Sequence, residues 1–289
     1  MNPHPRVVIV DGVPMSALVA EAPEPRATVV ALHGGGTTAA YFDCPGHPAL
    51  SLLRTGAALG FTVIALDRPG YGSSAPYPEA LAEPEQRVGL AYGAVDRILG
   101  ERSSGAGLFL IAHSNGCELA LRMAADDRGH GLLGMEMSGT GLRYHPAARE
   151  VLKTASPTHR PPGLRELLWH PAHLYPAEVV GGITNAASGA PYEAAMVTDW
   201  PRHDFPLVAA QVRIPVQFSV AEHEKVWQSD PAALDEIAAL FSAAPSFVIN
   251  EQPDAGHNLS LGHTARAYHE KVFAFVEECL ATQADLEAG

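Results

Sequence analysis

Residues 108–116 read LFLIAHSNG, an apolar run that ends in a histidine, a serine and a glycine. A run of this kind is typical of a strand that is buried on both faces of a parallel sheet. Helical sequence rich in alanine and leucine follows, which places Ser114 at a sharp turn between a strand and a helix. Ala112 and Gly116 are small, as such a strained turn requires, because bulky side chains at these positions would clash. The pattern therefore indicates a serine whose hydroxyl projects from the end of the strand.

The same pattern also fits an ordinary strand-to-helix turn in which Ser114 only caps the helix. Short motifs match by chance, so the rest of the chain has to decide between the two interpretations. In open α/β sheets ligands bind at the carboxyl ends of the strands, and the residues that follow each predicted strand are therefore the ones to compare.

Seven other segments have the character of strands: 6–10, 15–20, 27–32, 61–66, 132–137, 214–220 and 246–250. Asp11 and Gly12 between the first two predict a hairpin. Amphipathic periodicity predicts helices between most of the others. Strands that alternate with helices indicate an α/β fold with a doubly wound, mostly parallel sheet and right-handed crossovers.

A long gap between Gly141 and Arg213 breaks this alternation, and it is rich in proline and aromatic residues. A structureless stretch of that length is improbable in a compact domain. We therefore predict a mostly helical lid at 142–206, inserted into a core domain that consists of 1–141 and 207–289. The alternative is a segment that covers the sheet without lining a pocket.

The residues after the predicted strands are suited to nucleophilic acyl transfer. Ser114 alone is a weak nucleophile and needs a base. His257 follows the last strand in a glycine-containing loop, and it would take the proton from Ser114 and later give it to the leaving group. The base needs a carboxylate, for which Glu224 is the first choice and Glu222 the second. The alternatives are a surface or core histidine and a solvated acidic turn.

Backbone amides would stabilise the negative oxygen of a tetrahedral intermediate. The amide of Asn115 is one predicted donor. The other should come from the glycine loop at 33–36, where close backbone approach is possible; Gly35 is the first choice and Gly36 the second. A glycine run after a strand can instead bind phosphate, but the lysine and spacing of a P-loop are missing and GxGxxG is absent.

Taken together, these motifs resemble those of the α/β-hydrolase superfamily over nearly the whole chain. The matching segments are HGGG at 33–36, DRPGYGSS at 67–74, AHSNG at 112–116, AEHE at 221–224 and GHN at 256–258. The resemblance implies an eight-stranded sheet, a lid after the sixth strand, no cofactor, and the chain order serine, acid, histidine. It also implies that 67–74 is a structural turn near the site.

The sequence departs from the pattern of that superfamily at two positions. Ala112 stands where the first glycine of the serine turn is expected. Glutamate stands at position 224, where aspartate is more frequent, and its longer side chain changes the geometry of the loop.

Composition excludes several other classes of function. The formal net charge of −13 argues against binding to nucleic acid or to anionic lipid. We see no signal peptide, and no window approaches the ~18 consecutive apolar residues of a membrane span. The three cysteines indicate no disulfide framework and favour the cytoplasm. We also predict no metal site, since HExxH and paired CxxC motifs are absent.

The leading hypothesis is a serine hydrolase that cleaves a carboxylic ester, lactone or thioester through an acyl-enzyme on Ser114. The apolar stretch 164–175 favours a medium-sized, largely apolar small molecule as substrate. One alternative is a lyase or cyclase of natural product biosynthesis that uses the serine and histidine for elimination or proton transfer. Another is a binding protein on the same fold. Epoxide hydrolase or dehalogenase chemistry would usually need a carboxylate at position 114. The oligomeric state is not predicted.

Overall fold

A computed structural model describes residues 2–153, 161–182 and 189–288. The strands are β1 (His4–Val10), β2 (Val13–Ala20), β3 (Thr28–Leu32), β4 (Thr62–Leu66), β5 (Leu108–His113), β6 (Leu132–Ser138), β7 (Val216–Ala221) and β8 (Phe247–Gln252). The α-helices are α1 (Leu52–Ala58), α2 (Pro84–Leu99), α3 (Gly116–Ala125), α4 (Pro146–Leu152), α5 (Pro162–Leu168), α6 (Val179–Gly182), α7 (Glu193–Asp199), α8 (Phe205–Ala209), α9 (Pro231–Leu240) and α10 (Ala265–Ala288).

Within the described residues, eight strands form one sheet in the order β1-β2-β4-β3-β5-β6-β7-β8. β2 runs antiparallel to both of its neighbours, and the other adjacent pairs are parallel. The predicted α/β fold with an eight-stranded, mostly parallel sheet is confirmed. β5, which carries the stretch 108–113, lies in the middle of the sheet between β3 and β6.

Helices cover both faces of the sheet, and this explains why the central strands are apolar throughout. In β3, Val30 and Leu32 belong to the buried cluster on one face, while Val29 and Ala31 belong to the cluster on the other. Since both faces are buried, successive side chains all leave water, and the alternating pattern of a half-exposed strand is absent from these segments.

β1 and β2 form the predicted hairpin, in which Val10 pairs with Val13. The two turn residues, Asp11 and Gly12, have φ angles of +47° and +84°. Two successive positive φ angles characterise the type I′ turn, whose twist matches that of the strands, and Asp-Gly is a preferred sequence for it.

The chain between β6 and β7 is helical over much of the part that is described, from α4 to α8. The predicted lid at 142–206 includes 154–160 and 183–188, which lie outside the described residues, so the lid stays a prediction. Near the end of this segment, Trp200 stacks on Phe205 and both are buried in the same cluster as residues of α3. In the described ranges, no helix combines the length and the apolar character that crossing a membrane requires.

Candidate active site

Ser114 occupies the turn between β5 and α3. Its φ angle is +51°, in the left-handed region that non-glycine residues rarely adopt. Its N–H donates to the carbonyl oxygen of Ser138 at the end of β6 (2.8 Å), and its carbonyl accepts from the N–H of Cys117 (2.9 Å). These bonds hold the strained turn in place. The sharp serine turn expected from the sequence is therefore present.

The small residue after the turn is needed because α3 begins very close to β3. A Cβ on Gly116 would lie 2.3 Å from the carbonyl oxygen of Leu32 and 2.7 Å from that of His33. Real Cβ atoms do not come so close to backbone oxygens. Glycine at position 116 is thus a packing requirement of the strand–turn–helix unit.

His257 lies in the loop after β8 and is buried. Its Nδ1 is 2.9 Å from Oε2 and 3.1 Å from Oε1 of Glu224, which follows β7. A carboxylate partner assigns the ring proton to Nδ1 and leaves Nε2 as an acceptor. Nε2 is buried and forms no hydrogen bond with any described residue.

Glu224 is buried and is held as a carboxylate. Burial alone acts to raise the pKa of Glu224, but His257 and the amides of Val226 and Trp227 outweigh this and lower it below its usual value. The Val226 and Trp227 amides donate to Oε1 at 2.7 and 3.3 Å. Glu224 thus has the bonding that a negative charge needs in a buried site.

Glu222, the second choice for the acid, lies elsewhere. Its side chain is about half exposed, and Oε2 accepts from the N–H of Asp254 at 2.9 Å. Glu224 is therefore the glutamate that bonds to His257. Glu222 instead links the loop after β7 to the loop after β8.

The glycine loop after β3 lies against the serine turn. A Cβ on Gly34 would be 3.1 Å from Cβ of Ser114, and one on Gly35 would be 2.7 Å from Nδ2 of Asn115. The Gly36 N–H donates to the hydroxyl of Tyr71 at 3.0 Å, so this amide is already engaged. The Gly35 and Asn115 amides form no hydrogen bond with the described part of the chain.

The turn 67–74 contributes a buried ion pair that the sequence analysis did not find. Arg68 is fully buried, and its Nη2 donates to the carbonyl oxygen of Gly34 at 3.1 Å and to Oε1 of Glu193. The Tyr71 hydroxyl donates to Oε2 of the same carboxylate at 2.6 Å. Burial is the main reason why the pKa of Tyr71 rises to about 12, so this hydroxyl remains protonated.

A second histidine was also missed. The ring of His113, the residue before Ser114, stacks on Tyr41 at 4.7 Å and meets the ring of His257 at 5.0 Å. Burial and the neighbouring His257 lower the pKa of His113 well below its usual value. His113 Nδ1 lies 3.3 Å from the Ser138 hydroxyl, a separation consistent with a hydrogen bond.

The Ser138 hydroxyl is connected through Tyr268 to a buried carboxyl group on β6. The Tyr268 hydroxyl lies 3.3 Å from Oγ of Ser138 and donates to Oε1 of Glu136 at 2.8 Å. Burial raises the pKa of Glu136 to about 8, against the effect of its hydrogen bonds. Glu136 could have been noticed in the sequence, because it is a charged residue in an otherwise apolar strand.

The segment between β6 and β7 touches the histidine loop. Asn258 donates its side-chain amide to the carbonyl oxygen of Leu168 at 2.8 Å, and its backbone N–H donates to the Tyr175 hydroxyl at 3.2 Å. Trp169 and Tyr175 are buried and pack edge to face with ring centroids 5.0 Å apart. These side chains, expected to favour an apolar pocket, serve to anchor the segment to the core.

Residues 29–270 match the model of the Alpha/beta hydrolase family. No curated protein sequence matches the chain. Solved structures that share its fold include an esterase from a Rhodococcus species, which is 18% identical with a TM-score of 0.69 and coverage of 96% of this chain and 99% of the other.

Two further structures show that the fold is common to different activities. An N-acyl homoserine lactonase is 16% identical with a TM-score of 0.66, and the match covers 96% of this chain and 98% of the other. An epoxide hydrolase from Vigna radiata is 14% identical with the same TM-score and the same coverage. Identities this low establish the fold alone.

Proposed function

Since the chain belongs to the alpha/beta hydrolase family, we propose that it is a serine hydrolase that cleaves a carboxylic ester, lactone or thioester. The observation that carries the proposal is the buried His257, which Glu224 holds at Nδ1 while Nε2 is left without a partner among the described residues. A histidine in this state is a base that lacks only its proton donor. Ser114 lies on a strained turn, and the ring of the preceding residue, His113, meets that of His257 with centroids 5.0 Å apart.

The proposed reaction has two halves. The Ser114 hydroxyl adds to the carbonyl carbon while Nε2 of His257 takes its proton, and the amides of Gly35 and Asn115 stabilise the oxyanion. The intermediate collapses, His257 gives the proton to the leaving alcohol or thiol, and an acyl group remains on Ser114. Water activated by His257 then releases the acid and restores the serine.

The serine at position 114 argues against epoxide hydrolysis, the activity of one structural neighbour. Epoxide hydrolase chemistry usually needs a carboxylate nucleophile at this place, and the chain has a serine. The esterase and the lactonase act on acyl groups, and they support the choice of an ester or lactone here.

The medium-sized, largely apolar substrate stays part of the proposal, as does the function of 142–206 as a lid. The support for the lid is that Leu168 and Tyr175 contact the histidine loop, while Glu193 pairs with Arg68 and Tyr71, which bond to the glycine loop. Described residues of this segment thus bond to two of the loops that form the candidate site. A cytoplasmic location is supported by the three cysteines, which are free and buried.

A fluorophosphonate probe tests the proposal, because it reacts only with an activated serine. We expect covalent labelling of the wild type and none of Ser114→Ala, together with turnover of esters, lactones or thioesters by the wild type alone. Equal labelling of both proteins would refute the proposal. Labelling without turnover in any of the three substrate classes would instead favour the lyase or cyclase.

A further inference from the structure

Two side chains of the turn 67–74 hold the glycine loop. The Tyr71 hydroxyl accepts the N–H of Gly36 at 3.0 Å, and Nη2 of Arg68 donates to the carbonyl oxygen of Gly34 at 3.1 Å. The backbone N–H of Arg68 also donates to Nε2 of His33 at 3.1 Å. The peptide units on both sides of Gly35 are therefore fixed by Arg68 and Tyr71.

Both side chains are in turn held by one carboxylate. Oε1 of Glu193 accepts from Arg68, and Oε2 accepts from the Tyr71 hydroxyl at 2.6 Å. Glu193 is the first residue of α7, in the segment between β6 and β7. Its Oε2 lies 3.4 Å from the position that a Cβ on Gly35 would occupy. The carboxylate thus lies close to the predicted oxyanion loop.

The hydrogen bonds of Tyr71 and Arg68 to the glycine loop depend on the Glu193 carboxylate. Because the Tyr71 hydroxyl has one proton and gives it to Glu193, its lone pairs are oriented to accept from Gly36. Arg68 is a buried cation whose Nε and Nη1 already lack hydrogen bonds to described residues. Without the carboxylate, the guanidinium would be a buried unpaired charge, and it would move away from its bond to Gly34.

We propose that Glu193, the first residue of α7, is a positioning residue that sets the oxyanion loop through Arg68 and Tyr71. When Glu193 is in place, Arg68 and Tyr71 fix Gly34 and Gly36, and the Gly35 amide between them points where the oxyanion forms. Without the Glu193 carboxylate, the loop loses both supports. This inference rests on the proposed hydrolase function.

A neighbouring contact provides a matched control. The Tyr192 hydroxyl donates to the carbonyl oxygen of Pro69 at 2.8 Å, so it also joins this segment to the turn 67–74. Among the described residues, this hydroxyl forms no hydrogen bond with the glycine loop. Tyr192→Phe therefore removes one contact between this part of the chain and the turn 67–74 but leaves the bonds of Glu193 to Arg68 and Tyr71 in place.

The test compares Glu193→Gln with the wild type in ester hydrolysis. Deletion of an oxyanion donor costs about 10²–10³-fold, and misplacement of one should cost less, so we expect kcat to fall about 10–50-fold. KM should change by less than about 2-fold, because the loop acts on the transition state rather than on the bound substrate. Tyr192→Phe should keep the wild-type kcat.

An alkyl boronic acid gives a second readout. Its tetrahedral adduct with Ser114 places an oxygen where the oxyanion forms, so its inhibition constant should rise in Glu193→Gln by a factor similar to the loss in kcat. Tyr71→Phe should show the same pattern, and combining it with Glu193→Gln should add little, since both act through one hydrogen-bonded chain. If Glu193→Gln does not fold, Tyr71→Phe carries the test alone.

Three results would overturn the inference. Wild-type kcat and boronic acid affinity in Glu193→Gln would mean that the carboxylate has no effect on the loop. A gain in activity would mean that Glu193 obstructs the site. An equal loss in Tyr192→Phe would mean that loss of any contact to the turn 67–74 has this effect and that the Glu193 carboxylate has no particular role. A wild type that neither turns over esters nor reacts with fluorophosphonate would instead refute the proposed function, and the inference with it.

Discussion

At the scale of single residues, the clearest distinction is between two glutamates in one loop. Glu224 is buried and bonded to His257, whereas Glu222 is half exposed and bonded to a backbone amide. The two residues differ by only two positions in the sequence. The sequence places both near the predicted histidine, and the path of the loop after β7 decides which one reaches it.

We predict that Glu224→Gln is strongly impaired and that Glu222→Gln is not. An amide at position 224 can donate to Nδ1 of His257, which favours the wrong tautomer, and the expected loss in kcat is about 10²–10⁴-fold. Steady-state hydrolysis of a chromogenic ester measures both variants. Similar rates in the two variants would contradict the assignment of the acid.

Glu136 gives a prediction about pH and stability. Its pKa in the folded protein is about 8, raised from an ordinary 4.5 by burial. The folded state therefore holds this proton more tightly than the unfolded state. The contribution to the free energy of unfolding is fully present below about pH 4.5 and declines, at about 1.4 kcal/mol per pH unit, as the pH rises towards about 8.

Glu136→Gln removes this titration. Between about pH 5 and about pH 8 the free energy of unfolding of the variant should therefore increase relative to that of the wild type. Urea denaturation at several pH values measures the difference between the two proteins. A difference that stays constant over this range would show that Glu136 does not titrate as described.

At the scale of elements, the unit formed by β5, the serine turn and α3 depends on one close backbone approach. Gly116 at the start of α3 leaves no room for a Cβ beside Leu32 and His33. Gly89 in α2 is the opposite case, since a Cβ there would meet nothing within 4 Å. The two helical glycines form a matched pair.

We predict opposite effects of alanine at these two positions. Gly116→Ala should lower the free energy of unfolding by about 1–3 kcal/mol or more, because the backbone of α3 has to shift. Gly89→Ala should raise it by up to about 1 kcal/mol, because alanine is the better helix former. Thermal and urea unfolding measure both changes, and a stable Gly116→Ala would mean that α3 is free to move away from β3.

At the scale of the whole molecule, a buried charge network joins the core helices to the segment between β6 and β7. Glu118 on α3 is buried and pairs with Arg87 on α2 and with Arg122. Arg122 also pairs with Asp204, and the Arg87 guanidinium lies 4.1 Å above the ring of Tyr192. Glu118 thus holds two cations that both contact this segment.

We expect Glu118→Gln to lower the free energy of unfolding by about 3 kcal/mol, because it leaves the buried Arg87 guanidinium without its charge partner, whereas Arg122 keeps Asp204. Asp96→Asn is the control. It removes one partner of the exposed Arg128–Asp96 pair, for which a loss of at most about 1 kcal/mol is expected. Equal effects in urea unfolding would contradict a special role of the buried network.

The sequence predicts the sheet and the positions of Ser114, His257 and Glu224 because these depend on local patterns. Apolar runs mark strands, and the residues that follow them must meet at one edge of a parallel sheet. Glu193 could not be found in this way. Its partners, Arg68 and Tyr71, lie far away in the chain, and no periodicity connects them. Similarly, the apolar run around Glu136 hints at its burial, but its partner Tyr268 is supplied by α10, which is far away in the chain.

Cys117 makes the motion of the serine turn measurable. Its thiol is buried one helical turn beyond Ser114, and burial raises its pKa. Alkylation requires an exposed thiolate, so the native state resists the reaction, and each modification event reports a transient opening of this region. Mass spectrometry can follow the rate at which a maleimide modifies Cys117. This rate therefore measures how often the turn that carries Ser114 opens.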